Sequence, residues 1–331
     1  MAKKKKRFLV GKFFYWLRYR IGEYCLRGFV ALLPWIPRCV IVPFIWLAAR
    51  LTFVLLWRYR KRMEANLYAA MGKEFSTRES RKAIVWKAWR NFAQGVYETT
   101  CTLHSTKEGI RSTVAVRGEE HLKQALARKK GVIALSAHLG NFTIIGTRLA
   151  AGGYPFSAVV KHPRDQGFAR LTDRYRTSVG VKTISAKPRR EAARQILKAL
   201  RRNEVVLLIA DEFKSGGVEV EFLGRTAPAP RGPATLALRT GAAVIPMFAT
   251  RDAKDHLILH IGQEIDLIKS GDLQQDVATN ASLFTSHLEA MVRRYPDQWT
   301  WLGFHRNGRK PRSEMGKPQT TYPNQQGRIP S

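Results

Sequence analysis

SAHLGNFTIIG, residues 136–146, is the stretch on which the reading of this chain turns. An apolar run over 132–137 stops at His138. Gly140 and Asn141 then supply a turn, and a second apolar segment begins at Phe142. A short apolar run closed by a turn reads as a buried strand, and the segment after it as a helix over 142–150 with Asn141 at its N-cap. The histidine therefore stands where a strand ends and a helix begins. In an α/β sheet ligands gather at that place, because the carboxyl ends of strands border a crevice and helix N-termini present free N–H groups to it. A lone histidine is more often structural than catalytic, so position alone leaves both readings open.

The pattern around the motif sets the fold class. Strands are expected at 113–116, 132–137, 157–160, 183–185, 205–210, 218–222 and 243–249, alternating with helices at 119–127, 142–150, 166–179, 189–201 and 234–239. Strands that alternate with helices argue for an α/β domain with a central, mostly parallel sheet flanked by helices. Residues 256–267 alternate apolar and polar and read as an edge strand, and a last helix is expected over 276–294. Upstream, 58–72 reads as a basic amphipathic helix ended by Gly72. Ser76 with Glu79 reads as a capping-box start to the next helix. In that helix Val85, Trp89, Phe92 and Val96 recur at helical spacing, and the stripe reads as core. Gly216-Gly217 and Gly232-Pro233 mark tight backbone near the pocket.

Charge narrows the partners. In 331 residues Lys and Arg outnumber Asp and Glu 57 to 25, a formal net charge of +32. That excess seeks a polyanion: nucleic acid, an anionic membrane surface or a phosphorylated substrate. No zinc-finger spacing, RNP-type aromatic motif or compact helix-turn-helix signal is present, which argues against nucleic acid. The N-terminus argues for a membrane. KKKKR at 3–7 precedes FVALLPWIPRCVIVPFIWLAARLTFVLLW at 29–57, the most apolar region of the chain. A span needs about 20 predominantly apolar residues, and here Arg38, Arg50, Pro34, Pro37 and Pro43 interrupt. The region reads as an anchor embedded in, or crossing, the inner leaflet, with Trp35, Trp46 and Trp57 near the headgroups; a buried core hairpin is the other reading. Cys25, Cys39 and Cys101 have no metal-ligand spacing and the histidines are scattered, so no metal set is expected.

Several passages resemble one family. SAHLGNF at a strand-to-helix turn looks like the first motif of glycerolipid-type acyltransferases, in which a histidine is followed after four residues by Asp or Glu. More closely, the chain is similar to the late lipid A acyltransferases, the lauroyl/myristoyl transferases of lipopolysaccharide synthesis. The likeness runs through Asn66-Leu67, KHPRD at 161–165, GVKTISAK at 180–187, and the long block ADEFKSGGVEVEFLGRTAPAPRGPATLALRTGAAVIPMFATR at 210–251. It closes on YPDQWTWLGFHR at 295–306, and covers roughly 22–306. The resemblance implies acyl transfer from a thioester, on acyl carrier protein or acyl-CoA, to a hydroxyl of a lipid A precursor or related glycolipid. It implies the bacterial inner membrane, with the catalytic domain facing the cytoplasm. Acyl transfer by this route needs no metal and no bound organic cofactor. Composition together with the resemblance divides the chain into a membrane anchor at 1–57, an acyltransferase domain at 58–310 and, from its Pro, Gln, Ser and Gly content, a disordered tail at 311–331.

The resemblance assigns His138 as general base, since a sugar hydroxyl attacks well only as its proton is removed. The chain departs from the family at the acid position, which holds Thr143. A hydroxyl can fix the imidazole tautomer but brings no charge. Three readings stay open: a carboxylate from elsewhere (Asp211 or Glu212 first, Glu221 third), a site working with the threonine, or an inactive, lipid-binding relative. Asn141, Arg164, Glu212, Glu221 and Arg231 complete the expected substrate-binding set; a guanidinium such as Arg164 or Arg231 suits a phosphate. A lysophospholipid acceptor is the alternative substrate.

Overall fold

The computed structural model describes residues 2–213 and 216–302, with side chains from residue 15 onward. The tail at 311–331 and the end of the closing signature from Gly303 lie outside the described residues. Helices α1 (Ala2–Leu32), α2 (Arg38–Leu55), α3 (Trp57–Met71) and α4 (Arg78–Cys101) come first, and α5 (Lys107–Thr113) leads into β1 (Val114–Arg117). Then follow α6 (Glu119–Ala127), β2 (Val132–Ser136), α7 (Ile144–Ala151), β3 (Phe156–Val160), α8 (Gln166–Ser178), β4 (Val181–Ser185), α9 (Arg189–Arg201) and β5 (Val205–Ile209). A hairpin of β6 (Val218–Phe222) and β7 (Arg225–Ala229), then α10 (Gly232–Thr240), β8 (Ala243–Arg251), β9 (Leu257–Ile261) and α11 (Leu273–Arg294) complete the chain.

Seven strands form one sheet in the order β1-β9-β8-β2-β5-β3-β4. Every neighbouring pair is parallel except β8 with β9. The α/β class with a mostly parallel sheet flanked by helices is thus observed. β2 shows why the sheet lies at the centre. All five of its residues are buried, and successive side chains point to opposite faces. Ile133 and Leu135 join a core with Leu67, Val85, Ile196 and Phe284, whereas Val132 and Ala134 join one with Leu122, Ile145 and Leu149. Helices cover both faces for that reason.

Three expectations are corrected, and one strand adds to those expected. The 256–267 alternation does not make an edge strand, because β9 (Leu257–Ile261) lies between β8 and β1 and is paired through its backbone on both edges. The helix after residue 76 is capped by Thr77, whose hydroxyl accepts from the Ser80 amide, one residue later than the capping-box reading. The stripe at 85, 89, 92 and 96 is only partly core: Val85 is buried, but Phe92 and Val96 are 58% and 48% exposed. The sheet core ends below α4 before the stripe does. The added strand is β7: RTAPA carries a proline, which argues against a strand, and Pro228 is accommodated in a two-stranded hairpin that stands apart from the main sheet.

One backbone position holds the end of β2 in place. Gly140 has φ +58°, and a Cβ there would lie 2.1 Å from the Ala249 carbonyl oxygen. The turn is pinned on both sides, by Gly140 N donating to Gln298 O (2.8 Å) and Asn141 N donating to Ala249 O (2.9 Å). Only glycine permits both the left-handed conformation and this approach. Gly140→Ala should destabilise the protein by about 2–5 kcal/mol, from backbone strain plus overpacking. Urea denaturation measures it, and a loss below about 0.5 kcal/mol would contradict the reading.

Candidate active site

Register brings the central pair together. β2 and β5 are parallel neighbours with Ser136 opposite Ile209, and the Ala210 amide donates to the Ser136 carbonyl at 2.9 Å. Two residues further along each strand stand His138 and Asp211. His138 Nδ1 lies 2.8 Å from Asp211 Oδ1, and the His138 backbone amide donates to Asp211 Oδ2 at 2.9 Å. The Trp299 indole N–H donates to the same oxygen at 2.8 Å. Asp211 is buried at 3% exposure, whereas the histidine side chain is one-third exposed.

These contacts fix the chemistry of the ring. A buried carboxylate is costly unless hydrogen-bonded, and this one has three donors. A carboxylate only accepts, so Nδ1 carries the proton that faces Asp211 and the basic lone pair is on Nε2. Phe142 meets the imidazole edge-on with centroids 5.0 Å apart and limits its tilt. The arrangement can take a proton at Nε2 and stabilise the resulting cation through Asp211.

The threonine at the family's acid position is engaged elsewhere. The Thr143 hydroxyl donates to Asn141 Oδ1 at 2.7 Å and lies 2.6 Å from the Thr99 hydroxyl of α4. Asn141 does not cap α7, contrary to the sequence reading; Thr143 holds the N-cap position and makes no side-chain cap bond. The reason is α4, which passes over the turn and takes the asparagine amide. Asn141 is buried, and its Nδ2 donates to Gly95 O and Glu98 Oε2, both at 3.3 Å. Glu98 in turn pairs with Arg251 of β8, through Nη1 at 2.7 Å and through a second, closer contact at Nη2. Gln298 brackets the Arg251 backbone with two hydrogen bonds of 2.9 Å.

A cavity of about 760 Å³ opens beside this turn. Its walls include Phe92, Gly95, Val96 and Thr99 of α4, His138, Asn141 and Thr143 of the turn, and Glu212, Gly232 and Pro233 from across the sheet; Gly146, Phe156 and Val181 lie deeper on one side. The size suits a ligand pocket, and most of the lining is apolar with few polar groups. Of the expected binding residues, Asn141 and Glu212 line it. Arg164 and Arg231 are exposed and lie outside its lining. Glu221 is exposed on β6, where it accepts from the Thr226 hydroxyl at 3.0 Å, and it lies outside the cavity lining. Gly216-Gly217 also lies outside the lining and serves the hairpin, where Gly217 backs against the Pro228 and Ala229 backbone.

Sequence reasoning missed the supports. Trp299 was visible as part of the Gln-Trp-Thr-Trp signature, but nothing local says that its N–H reaches Asp211. The Glu98–Arg251 pair joins residues 153 apart and has no local signal. Asn66 likewise donates to Trp301 O at 2.6 Å and ties α3 to the closing segment.

With the geometry in view, comparison with known proteins gives the family. The chain is 28% identical over 55% of its length to the phosphatidylinositol mannoside acyltransferase of Mycolicibacterium smegmatis, covering 59% of that protein. It is 32% identical over 44% of its length to the enzyme of the same name from Mycobacterium tuberculosis (strain H37Rv), covering 46%. These matches thus span only about half the length of those relatives. The lipid A biosynthesis lauroyltransferase of Escherichia coli K12 matches at 25% identity over 69% of this chain and 73% of that one. The model of the family described as bacterial lipid A biosynthesis acyltransferase matches residues 4–307, nearly the whole sequence, and the chain belongs to that family.

Proposed function

We propose that this protein transfers a fatty acyl chain from a thioester, carried on acyl carrier protein or coenzyme A, to a hydroxyl of a membrane glycolipid, with His138 as general base and Asp211 as its orienting acid. The observation that carries the reading is the 2.8 Å contact between His138 Nδ1 and the buried Asp211, set beside a largely apolar cavity of about 760 Å³. As the acceptor hydroxyl attacks the thioester carbonyl, Nε2 takes its proton. The carbon–sulfur bond then breaks, and the imidazolium returns the proton to the departing thiolate. No group beyond the two substrates is needed for this balance. The apolar cavity suits the acyl chain, and the basic surface suits an acidic or phosphorylated donor and an anionic leaflet.

Asp211 is the carboxylate proposed in place of an acid at Thr143. A carboxylate at the histidine supports catalysis over the reading as an inactive lipid binder, and the threonine keeps a role in holding the turn. The family match supports a lipid A precursor as the first reading of the acceptor. A mannosylated phosphoinositide is the second reading of the acceptor, favoured by the higher identity to the mannoside enzymes. The proposed membrane is the bacterial inner membrane with the catalytic domain on its cytoplasmic side. Residues 1–57 act as the anchor: among the described residues, α2 is the helix long and apolar enough to cross a bilayer.

His138→Ala should lower kcat by about 10²–10⁴ in a labelled-thioester assay with glycolipid acceptors, and full turnover in this variant would remove the proposal. Asp211→Asn should cost up to about 10⁴, because the amide can present a donor and select the wrong tautomer. Thr143→Ala, which removes neutral hydrogen bonds only, should cost less than about tenfold. The reverse order of these two losses, read in the same assay, would return the acid role to position 143.

A further inference from the structure

Length and composition let α2 pass for a membrane-crossing helix. Its 18 residues make about 27 Å against a hydrocarbon core of roughly 30 Å. Its packing argues for a different seat. α2 runs antiparallel along α4: Phe53 meets Trp86 and Trp89 edge-on (5.1 and 5.9 Å), the Arg90 guanidinium lies 5.8 Å from the Trp46 ring, and Ile41 clusters with Tyr97. The Trp89 N–H also donates to the Thr52 hydroxyl at 3.1 Å. α2 is therefore joined to α4 from Ile41 to Phe53, nearly its whole length, and the stretch of α4 that it packs against, Trp86 to Tyr97, includes the charged Lys87 and Arg90. A spanning α2 would draw that helix into hydrocarbon, where each charge near the centre costs about 2.5–3.5 kcal/mol.

The two faces of α2 show where the lipid goes instead. Ile41, Ala49 and Phe53 are buried, while Val40, Phe44, Leu47, Leu51 and Val54 are exposed at spacings of four, three, four and three, one continuous apolar stripe. Arg38 opens the helix, and Arg58, Arg60 and Lys61 follow it. A stripe of this kind between cations matches an anionic leaflet entered edge-on. On α4, the exposed Phe92 and Val96 stand one turn apart and are also walls of the cavity that holds His138; Leu26 of α1 lines the same cavity.

We infer that α2 lies in the plane of an anionic leaflet rather than across it, with α4 on the aqueous side, and that Phe92 and Val96 continue its apolar surface into the cavity, so that the alkyl chains of a bilayer lipid reach His138 without crossing water. The second half rests on the acyl-transfer reading above, and the first does not. Exposed Cys39 near the start of α2 gives one reporter, retained alone in a Cys25→Ser/Cys101→Ser protein. Arg58→Cys, with Cys39→Ser added, gives the other, beyond the far end. A membrane-impermeant maleimide applied to sealed, oriented vesicles should label both from the same side. Labelling from opposite sides overturns the in-plane seat, and so does failure of the full chain to float with phosphatidylglycerol vesicles. Should Cys101→Ser not fold, Cys101 is kept in both variants and the sidedness is read against the Cys39→Ser parent.

For the path into the cavity, Phe92→Ser/Val96→Ser should raise the apparent KM for a glycolipid acceptor in vesicles about tenfold more than for the same acceptor dispersed as monomers. An equal rise in both overturns the path. The labelling needs no turnover, so a wild-type protein that seats in the plane yet transfers no acyl chain would count against the acyl-transfer reading alone.

Discussion

The site depends on one buried carboxylate. Asp211 sits almost out of water at the end of β5, and an ionised group there is tolerable only while its oxygens are hydrogen-bonded. Two of its donors come from a single residue, the amide and the ring of His138, and the third from Trp299 near the end of the described chain. The carboxylate therefore does three things at once. It sets the imidazole tautomer, fixes the angle at which β2 gives way to its turn, and docks the closing segment against the sheet. Loss of any donor would leave the charge under-satisfied, so the three segments hold one another in place.

Parallel pairing makes this meeting possible. Adjacent parallel strands place equivalent residues side by side, and the register of β2 with β5 continues past the last paired residues to His138 and Asp211. Both side chains then stand at the carboxyl edge of the sheet, where helices leave room for a ligand. The neighbouring turn is held by a second system, running from Thr143 and Asn141 through Glu98 to Arg251. In the related pattern an acidic residue follows the histidine after four positions; here a neutral hydroxyl in that place joins the turn to α4, and the carboxylate beside the ring, Asp211, comes from the neighbouring strand.

The same helix, α4, links the site to the apolar N-terminal region. It lies on the sheet core through Val85 and Ala88, accepts α2 through Trp86 and Trp89, and walls the cavity with Phe92 and Val96. Apolar side chains at one helical spacing thus serve as core at one end of the helix and as cavity wall at the other. Periodicity reports only that a stripe is apolar; what covers it depends on how far the sheet beneath it extends.

The sequence by itself determined the α/β class, because alternating short apolar runs and amphipathic segments can bury their apolar surface in few other ways. It also placed His138 at a strand end and marked the N-terminus as the apolar, cationic end of the chain. Those features are local, and composition and spacing record them. Only the tertiary structure decided that β9 is interior, that Asp211 rather than Thr143 or Glu221 stands beside the histidine, and that Trp299 holds Asp211. Each of these is a contact between residues distant in the chain. Its partners are chosen by strand order and register, which one strand's own residues do not encode.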